Sequence, residues 1–151
     1  MKELYTAIEI DAPAERVWAI LTDFARFPEW NPTIRRARGE LRPGARLEVH
    51  QQPPGYRGRT SRPAVVGLEP GCEFRWLGQV GPQALFSGEH IFAVEPLAGG
   101  RVRFVQREEF RGLLVPILWR TLNTRTRSGF EAMNRALKAR AEQMAASDSA
   151  A

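Results

Sequence analysis

Apolar residues recur at every second position along most of the chain, and at every third or fourth position over its last part. The first period is that of a half-buried strand and the second that of one helical face. Glu3 to Ile10 sets Leu4, Thr6, Ile8 and Ile10 on one side, which predicts a first strand. Asp11 then stands where a helix N-cap belongs, and Pro13 falls near the first helical turn. Glu15 suits the positive end of the helix dipole. Val17, Trp18, Ile20 and Leu21 form the apolar face of a short helix running to about Asp23. Phe24 to Pro32 is a second short helical piece, broken by Pro28 and Pro32 and carrying Phe24, Phe27 and Trp30.

Six strands are predicted next. Ile34 to Leu41 ends at the turn Arg42-Pro43-Gly44. Ala45 to Gln52 sets Leu47, Val49 and Gln51 against Arg46, Glu48 and His50. A loop from Pro53 to Gly58 leads to Thr60–Glu69, which stops at Pro70-Gly71. Cys72 to Val80 places Phe74 and Trp76 on one face and Glu73 and Arg75 on the other. Ala84 to Glu95 and Arg101 to Arg111 make a final hairpin across Pro96–Gly100. From about Pro116 to Ala145, Leu118, Leu122, Phe130, Met133, Leu137 and Met144 follow helical steps. Thirty residues of helix are a rod of roughly 45 Å. Such a rod needs a broad apolar partner, and the strands are the available one. Short turns between consecutive strands imply antiparallel neighbours, and segregated helices make the class α+β. Gly129 inside the helix costs roughly 1 kcal/mol relative to Ala. It marks either a close approach of another element or a kink.

Bulk properties narrow the classes. A chain of 151 residues, 43% hydrophobic and 26% charged, fits one domain with a real core, expected over residues 1–146 with a frayed tail at 147–151. No apolar run approaches the length of a membrane span. The first five residues lack the apolar core of a signal peptide, and the lone Cys72 forms no internal disulfide, so a cytoplasmic location is expected. The net charge of +5 is nearly all arginine, spread in groups at 35–38, 57–62 and 120–127 without interleaved aromatics. That pattern points to solvated faces rather than a nucleic-acid platform. Two histidines on opposite faces give no metal-ligand spacing, and no phosphate loop or nucleophile elbow is present. No cofactor or metal is expected.

Three segments carry a resemblance. The first is "IEIDAPAERVWAILTDFARFPEWNP", the second "GEHIFAVEPLAGGRVRFVQREEFRG" and the third "GFEAMNRALKARAE". In this order and spacing the chain resembles the START-related SRPBCC, or helix-grip, superfamily, in its polyketide cyclase/dehydrase and lipid-transport branch. The resemblance implies a bent seven-stranded antiparallel sheet wrapped around a long C-terminal helix, with two short helices after the first strand. It also implies a pocket for an apolar ligand between sheet and helix. The superfamily spans lipid carriers, aromatic cyclases, co-chaperones and oxygenase domains, so fold alone does not assign activity.

Alternation places Val102, Phe104, Gln106, Glu108 and Phe110 on the inner side of the last strand, and Phe86, Gly88, His90, Phe92 and Val94 on the inner side of its neighbour. In that register His90 comes near Gln106 or Glu108. A carboxylate among apolar walls is costly unless it is paired, bonded or neutral. A His–carboxylate pair there has the makings of a general acid and base, and His90 and Glu108 are the catalytic candidates. The alternatives are that Glu108 is solvated at the cavity mouth and that His90 serves packing. The lining set comprises Phe27, Trp30, Phe74, Trp76, Phe86, His90, Phe92, Phe104, Gln106, Glu108, Leu118 and Leu122. Trp30 either caps the entrance or locks the short helices to the sheet. The expected function is binding of a lipid-like or polyketide-like molecule in a cavity of roughly 300–1,000 Å³, by a monomer or homodimer. A cyclase or dehydratase in the same cavity, or a protein-interaction module using the arginine-rich outer face, are the alternatives.

Overall fold

The computed structural model describes the backbone of residues 1–150 and the side chains of residues 1–144. The expected tail at 147–151 therefore lies outside the described side chains; the backbone is helical through Ala150. Strand β1 (Lys2–Ile10) leads to helix α1 (Ala14–Thr22), a 3-10 turn (Phe24–Arg26) and helix α2 (Phe27–Trp30). Strands β2 (Ile34–Arg38), β3 (Glu48–Gln51), β4 (Arg59–Ser61), β5 (Ala64–Glu69), β6 (Glu73–Gln79), β7 (Ser87–Pro96) and β8 (Val102–Arg111) follow. The chain ends in helix α3 (Val115–Thr121), a π turn (Leu122–Thr126) and helix α4 (Arg127–Ala150).

The α+β class is as expected, with two adjustments. The strands pair as β1-β8-β7-β6-β5 and as β2-β3-β4. The predicted strand Thr60–Glu69 splits at Pro63, which has no N–H to give to a ladder. The seven expected strands thus become eight among the described residues. The two sheets remain continuous through a bridge between Arg46 and Ala64 and the backbone bonds from Leu47 to Pro63 (2.9 Å) and from Val65 to Ala45 (2.8 Å). The result is one bent wall around the helix.

Helix α1 begins two residues later than its cap signal implied. Pro13 occupies the N-cap position, and its carbonyl accepts from the N–H groups of Arg16 (3.1 Å) and Val17 (3.2 Å). Asp11 is instead tied to α4, its N–H donating to the Glu142 carboxylate at 2.9 Å. Val17, Ile20 and Leu21 then join Phe24, Phe27, Phe74, Phe92, Val94, Phe104, Leu137 and Ala141 in the main core. Gly129 marks a close approach: a side chain there would meet Thr33 Cγ2 at 3.0 Å and Pro53 Cβ at 3.3 Å. The Thr33 hydroxyl donates to the Gly129 carbonyl at 2.7 Å, holding the chain after α2 against the helix.

Outside the sheet, arginines and glutamates alternate and pair. Arg75 bridges Glu73 and Glu89, Arg107 meets Glu109, and Arg101 meets Glu9. Their stems cover Ile91 and Val105, which are buried although they face outward by alternation. This charged face is partly solvated, and its charges form a ladder of mutual ion pairs.

Candidate functional site

The β7–β8 hairpin pairs His90 directly with Glu108 and Phe92 with Gln106. All four side chains fall on the side facing the long helix, as the alternation predicts. His90 is 2% exposed, stacked between Phe92 (3.9 Å between centroids) and Phe130 of α4 (4.5 Å), with Trp76 edge-on at 5.6 Å. Burial in this aromatic box pulls the imidazole down to about 3, and the bond to Gln106 offsets only part of that. The ring is therefore neutral at physiological pH.

Its tautomer follows from a chain of hydrogen bonds. The Gln106 side-chain nitrogen donates to the Phe130 carbonyl (3.3 Å) and to Asn134 Oδ1 (2.8 Å). Asn134 Nδ2 donates to Thr6 Oγ1 (3.0 Å), whose hydroxyl donates to the Gln106 backbone carbonyl (2.9 Å). A backbone carbonyl only accepts, so the Gln106 nitrogen must face α4 and its oxygen must face His90. His90 Nε2 then carries the proton and donates to Gln106 Oε1 across 2.9 Å. This leaves Nδ1 as a bare acceptor. It has no protein partner among the described residues, and His90 lines a pocket.

Glu108 differs from its neighbours in having no partner among the described residues. Burial pushes its carboxyl up to about 8. The half-buried residue lines a pocket of about 140 Å³ that opens to solvent. Gly88 makes the room: a side chain there would collide with Glu108 Oε1. Arg46, Arg59, Arg62, Trp76 and Phe86 share the pocket. A second pocket of about 210 Å³ is lined by Ile34, Pro53, His90, Gln106, Leu122 and Phe130, among others. The two pockets share Gln51 and Arg59 and so meet at the β3–β4 edge.

Each of these two pockets is smaller than the range expected from sequence, because aromatics fill the rest of the groove. Phe27, Phe74, Phe92 and Phe104 are packed solid in the core and line neither pocket. Trp30 lines a separate surface pocket beside α1 and Arg140, remote from His90. Leu118 is 38% exposed on α3 rather than inward. Trp76, Phe86, His90, Gln106, Glu108 and Leu122 do border the two pockets. Sequence reasoning missed Arg59, Gln51, Thr6 and Asn134. Asn134 lies one position from Met133 in a helical stripe and reads as a boundary residue. His50, set by alternation on the face of Arg46 and Glu48, is half-buried and bonded to Thr60 at 3.0 Å. Among the described residues no three His, Cys, Asp or Glu groups gather as metal ligands.

The family profile described as "Polyketide cyclase / dehydrase and lipid transport" matches residues 1–142. No curated protein matches the sequence. Among solved structures, a START superfamily protein from Mycobacterium smegmatis is similar with a TM-score of 0.74 and 22% identity, over 94% of this chain and 98% of that one. The di-domain ARO/CYC StfQ of the steffimycin biosynthetic pathway gives 0.75 at 19% identity, over 95% of this chain and 52% of that one. A norcoclaurine synthase point mutant from Thalictrum flavum, in complex with a transition-state analogue, gives 0.73 at 15% identity, over 95% of each chain. Identities this low speak for the shared helix-grip fold alone.

Proposed function

This chain belongs to the polyketide cyclase/dehydrase and lipid-transport family, and from that premise we propose that it binds a small, largely apolar molecule with a polar end at the open end of its groove. One observation carries this: Glu108 is an unpartnered carboxyl facing a pocket, directly across the hairpin from a neutral His90. A carboxyl half-withdrawn from water with no partner is unfavourable, and a ligand that hydrogen-bonds it would offset that cost. Leu122, Phe130, Trp76 and Phe86 supply apolar contact. The His90 Nδ1 lone pair suits a hydroxyl or phenol donor, and the protonated Glu108 suits a carbonyl acceptor. Native mass spectrometry of the purified protein tests the binding. A retained small molecule that is lost in Glu108→Gln or His90→Phe supports it, and an always empty protein counts against it.

A second reading is favoured by the contrast between the two groups. Below about pH 8 Glu108 holds a proton, while His90 keeps a free lone pair. Dehydration needs both: a base that removes a proton beside a carbonyl, and an acid that protonates the departing hydroxyl as water. His90 is a weak base, so only an already acidic proton, flanked by two carbonyls, suits it. Glu108→Gln tested on a β-hydroxy ketone that turns over distinguishes the readings: an unchanged rate removes Glu108 from the chemistry.

A further inference from the structure

Among the described residues nine large apolar side chains are exposed; Met1, Tyr5, Val66 and Met144 stand apart at β1, β5 and α4, and the other five gather near the two pockets. Leu113 and Ile117 are each 78% exposed, Leu118 is 38% and Val80 is 41% exposed, and Tyr56 adds 39%. These five sit on three segments: the β3–β4 loop, which lines the second pocket through Pro53; the β6–β7 loop, which lines the first through Val80; and α3, whose last residue Thr121 lines the second, with the turn before it. The segments are tied together. The N–H of Leu113 donates to the Ala84 carbonyl (3.1 Å) and that of Leu114 to the Leu85 carbonyl (3.1 Å), fastening α3 to the β6–β7 loop. Arg125 donates to the Arg57 carbonyl and lies over the Tyr56 ring at 5.3 Å, fastening the π turn to the β3–β4 loop.

The same rim is basic. Lys2 stands over the Trp119 ring at 5.6 Å, and Arg111 and Arg120 bracket the apolar run Leu113–Trp119. Arg57 and Arg59 follow on the β3–β4 side, and neither has a side-chain ion pair among the described residues. The glutamates nearby, Glu3, Glu48 and Glu109, are already engaged by Arg107, Arg62 and Arg111. Apolar residues at the tip with unpaired cations around them complement an anionic bilayer surface. Its acyl boundary takes the side chains and its headgroups take the arginines. No helix among the described residues is long and apolar enough to span a membrane, so such an association is peripheral.

We propose that the rim formed by Leu113, Ile117, Leu118, Val80 and Tyr56, with Lys2, Arg57, Arg59 and Arg120 around it, docks the protein on an anionic lipid surface with both pockets facing the bilayer. The docking does not require an occupied pocket, so its failure and that of the ligand reading are separable. The test is co-sedimentation of the full chain with vesicles of pure phosphatidylcholine and with vesicles containing a third phosphatidylglycerol, at low and at high salt. Binding to the anionic vesicles that weakens with salt is expected. The double variant Leu113→Asp/Ile117→Asp, whose sites are exposed and leave the core untouched, is expected to lose about tenfold or more in partitioning, with its melting temperature unchanged. Arg120→Glu is expected to weaken binding to anionic vesicles only. Absence of binding at low salt, or equal partitioning of the double variant, overturns the proposal. So does a finding by light scattering that the double variant merely splits a dimer while vesicles are ignored, since the rim then belongs to a second copy.

Discussion

The two ends of the groove between sheet and long helix use similar side chains and reach different packing densities. At one end α1 and the 3-10 turn press Leu21 and Phe24 onto Phe74, Phe92 and Leu137, and the rings meet stacked or edge-on, as Phe74 and Phe92 do at 4.5 Å. At the other end nothing equivalent to α1 covers the wall. Short strands β3 and β4, the loop at Pro53 and the π turn span it, and Gly88 withholds a side chain from it. The difference teaches that the hollow comes from missing cover together with a wall made smaller at Gly88 and more polar at Glu108. The polar groups follow the same division: the network of Thr6, Gln106, Asn134 and His90 stands between the two ends, satisfied on its packed side and open at Nδ1 and Glu108.

The sharpest break of this comparison is Phe92→Ala. Phe92 is fully buried between Phe74 and His90, and its truncation is expected to cost about 3–5 kcal/mol by urea unfolding. A much smaller loss would mean that the dense end is not close-packed. Next comes Gln106→Leu, which strands His90 Nε2 and Asn134 Oδ1 at roughly 1–3 kcal/mol for each unpaired group. Nitrogen chemical shifts of His90 are expected to report a single Nε2–H tautomer in the parent and a mixture in the variant. A mixture in the parent would remove the network's directing role.

Glu108→Gln sharpens the hollow end. The carboxyl's folded value of about 8 lies above its ordinary 4.5, so the folded state holds the proton more tightly between those limits. This group's contribution is fully present below 4.5 and is lost as pH rises through 8. The variant escapes that loss, so its advantage over the parent grows by up to ~1.4 kcal/mol per pH unit in this window. A constant difference across pH would place the carboxylate in water. His90 acts oppositely, its value of about 3 making the fold lose stability as pH falls below 6.5, and it is common to both proteins. The smallest effect belongs to Leu118→Ala, expected near or below about 1 kcal/mol because more than a third of the residue is already exposed and it joins no core cluster.

The inner face of β8 and its register against β7 were legible in the alternation, because a half-buried strand repeats every two residues and a hairpin fixes its own pairing. Alternation alone narrowed the neighbour of His90 to Gln106 or Glu108, and the pairing places Glu108 directly opposite it while Gln106 bonds its Nε2. Asn134 and Thr6 were not legible as partners, since a polar residue beside a helical stripe looks the same whether it meets water or a glutamine from another element. Leu118 misled for a related reason: its spacing from Leu122 fits a regular helix, and a π turn intervenes before Phe130. Pocket size was beyond reach, because period and composition say which residues face inward but not how much volume they leave between them.

The π turn at Leu122–Thr126 carries one residue more than an α-helical turn would. Each helical residue rotates the chain by about 100°, so that surplus residue sets the azimuth of everything upstream of it. Removing a single residue such as Thr124 would swing α3 about the helix axis and carry Ile117 to a different bearing while α4 stayed seated. A one-codon deletion in this stretch is therefore a steering change rather than a loss of fold, and relatives that differ there would aim their α3 tips in different directions.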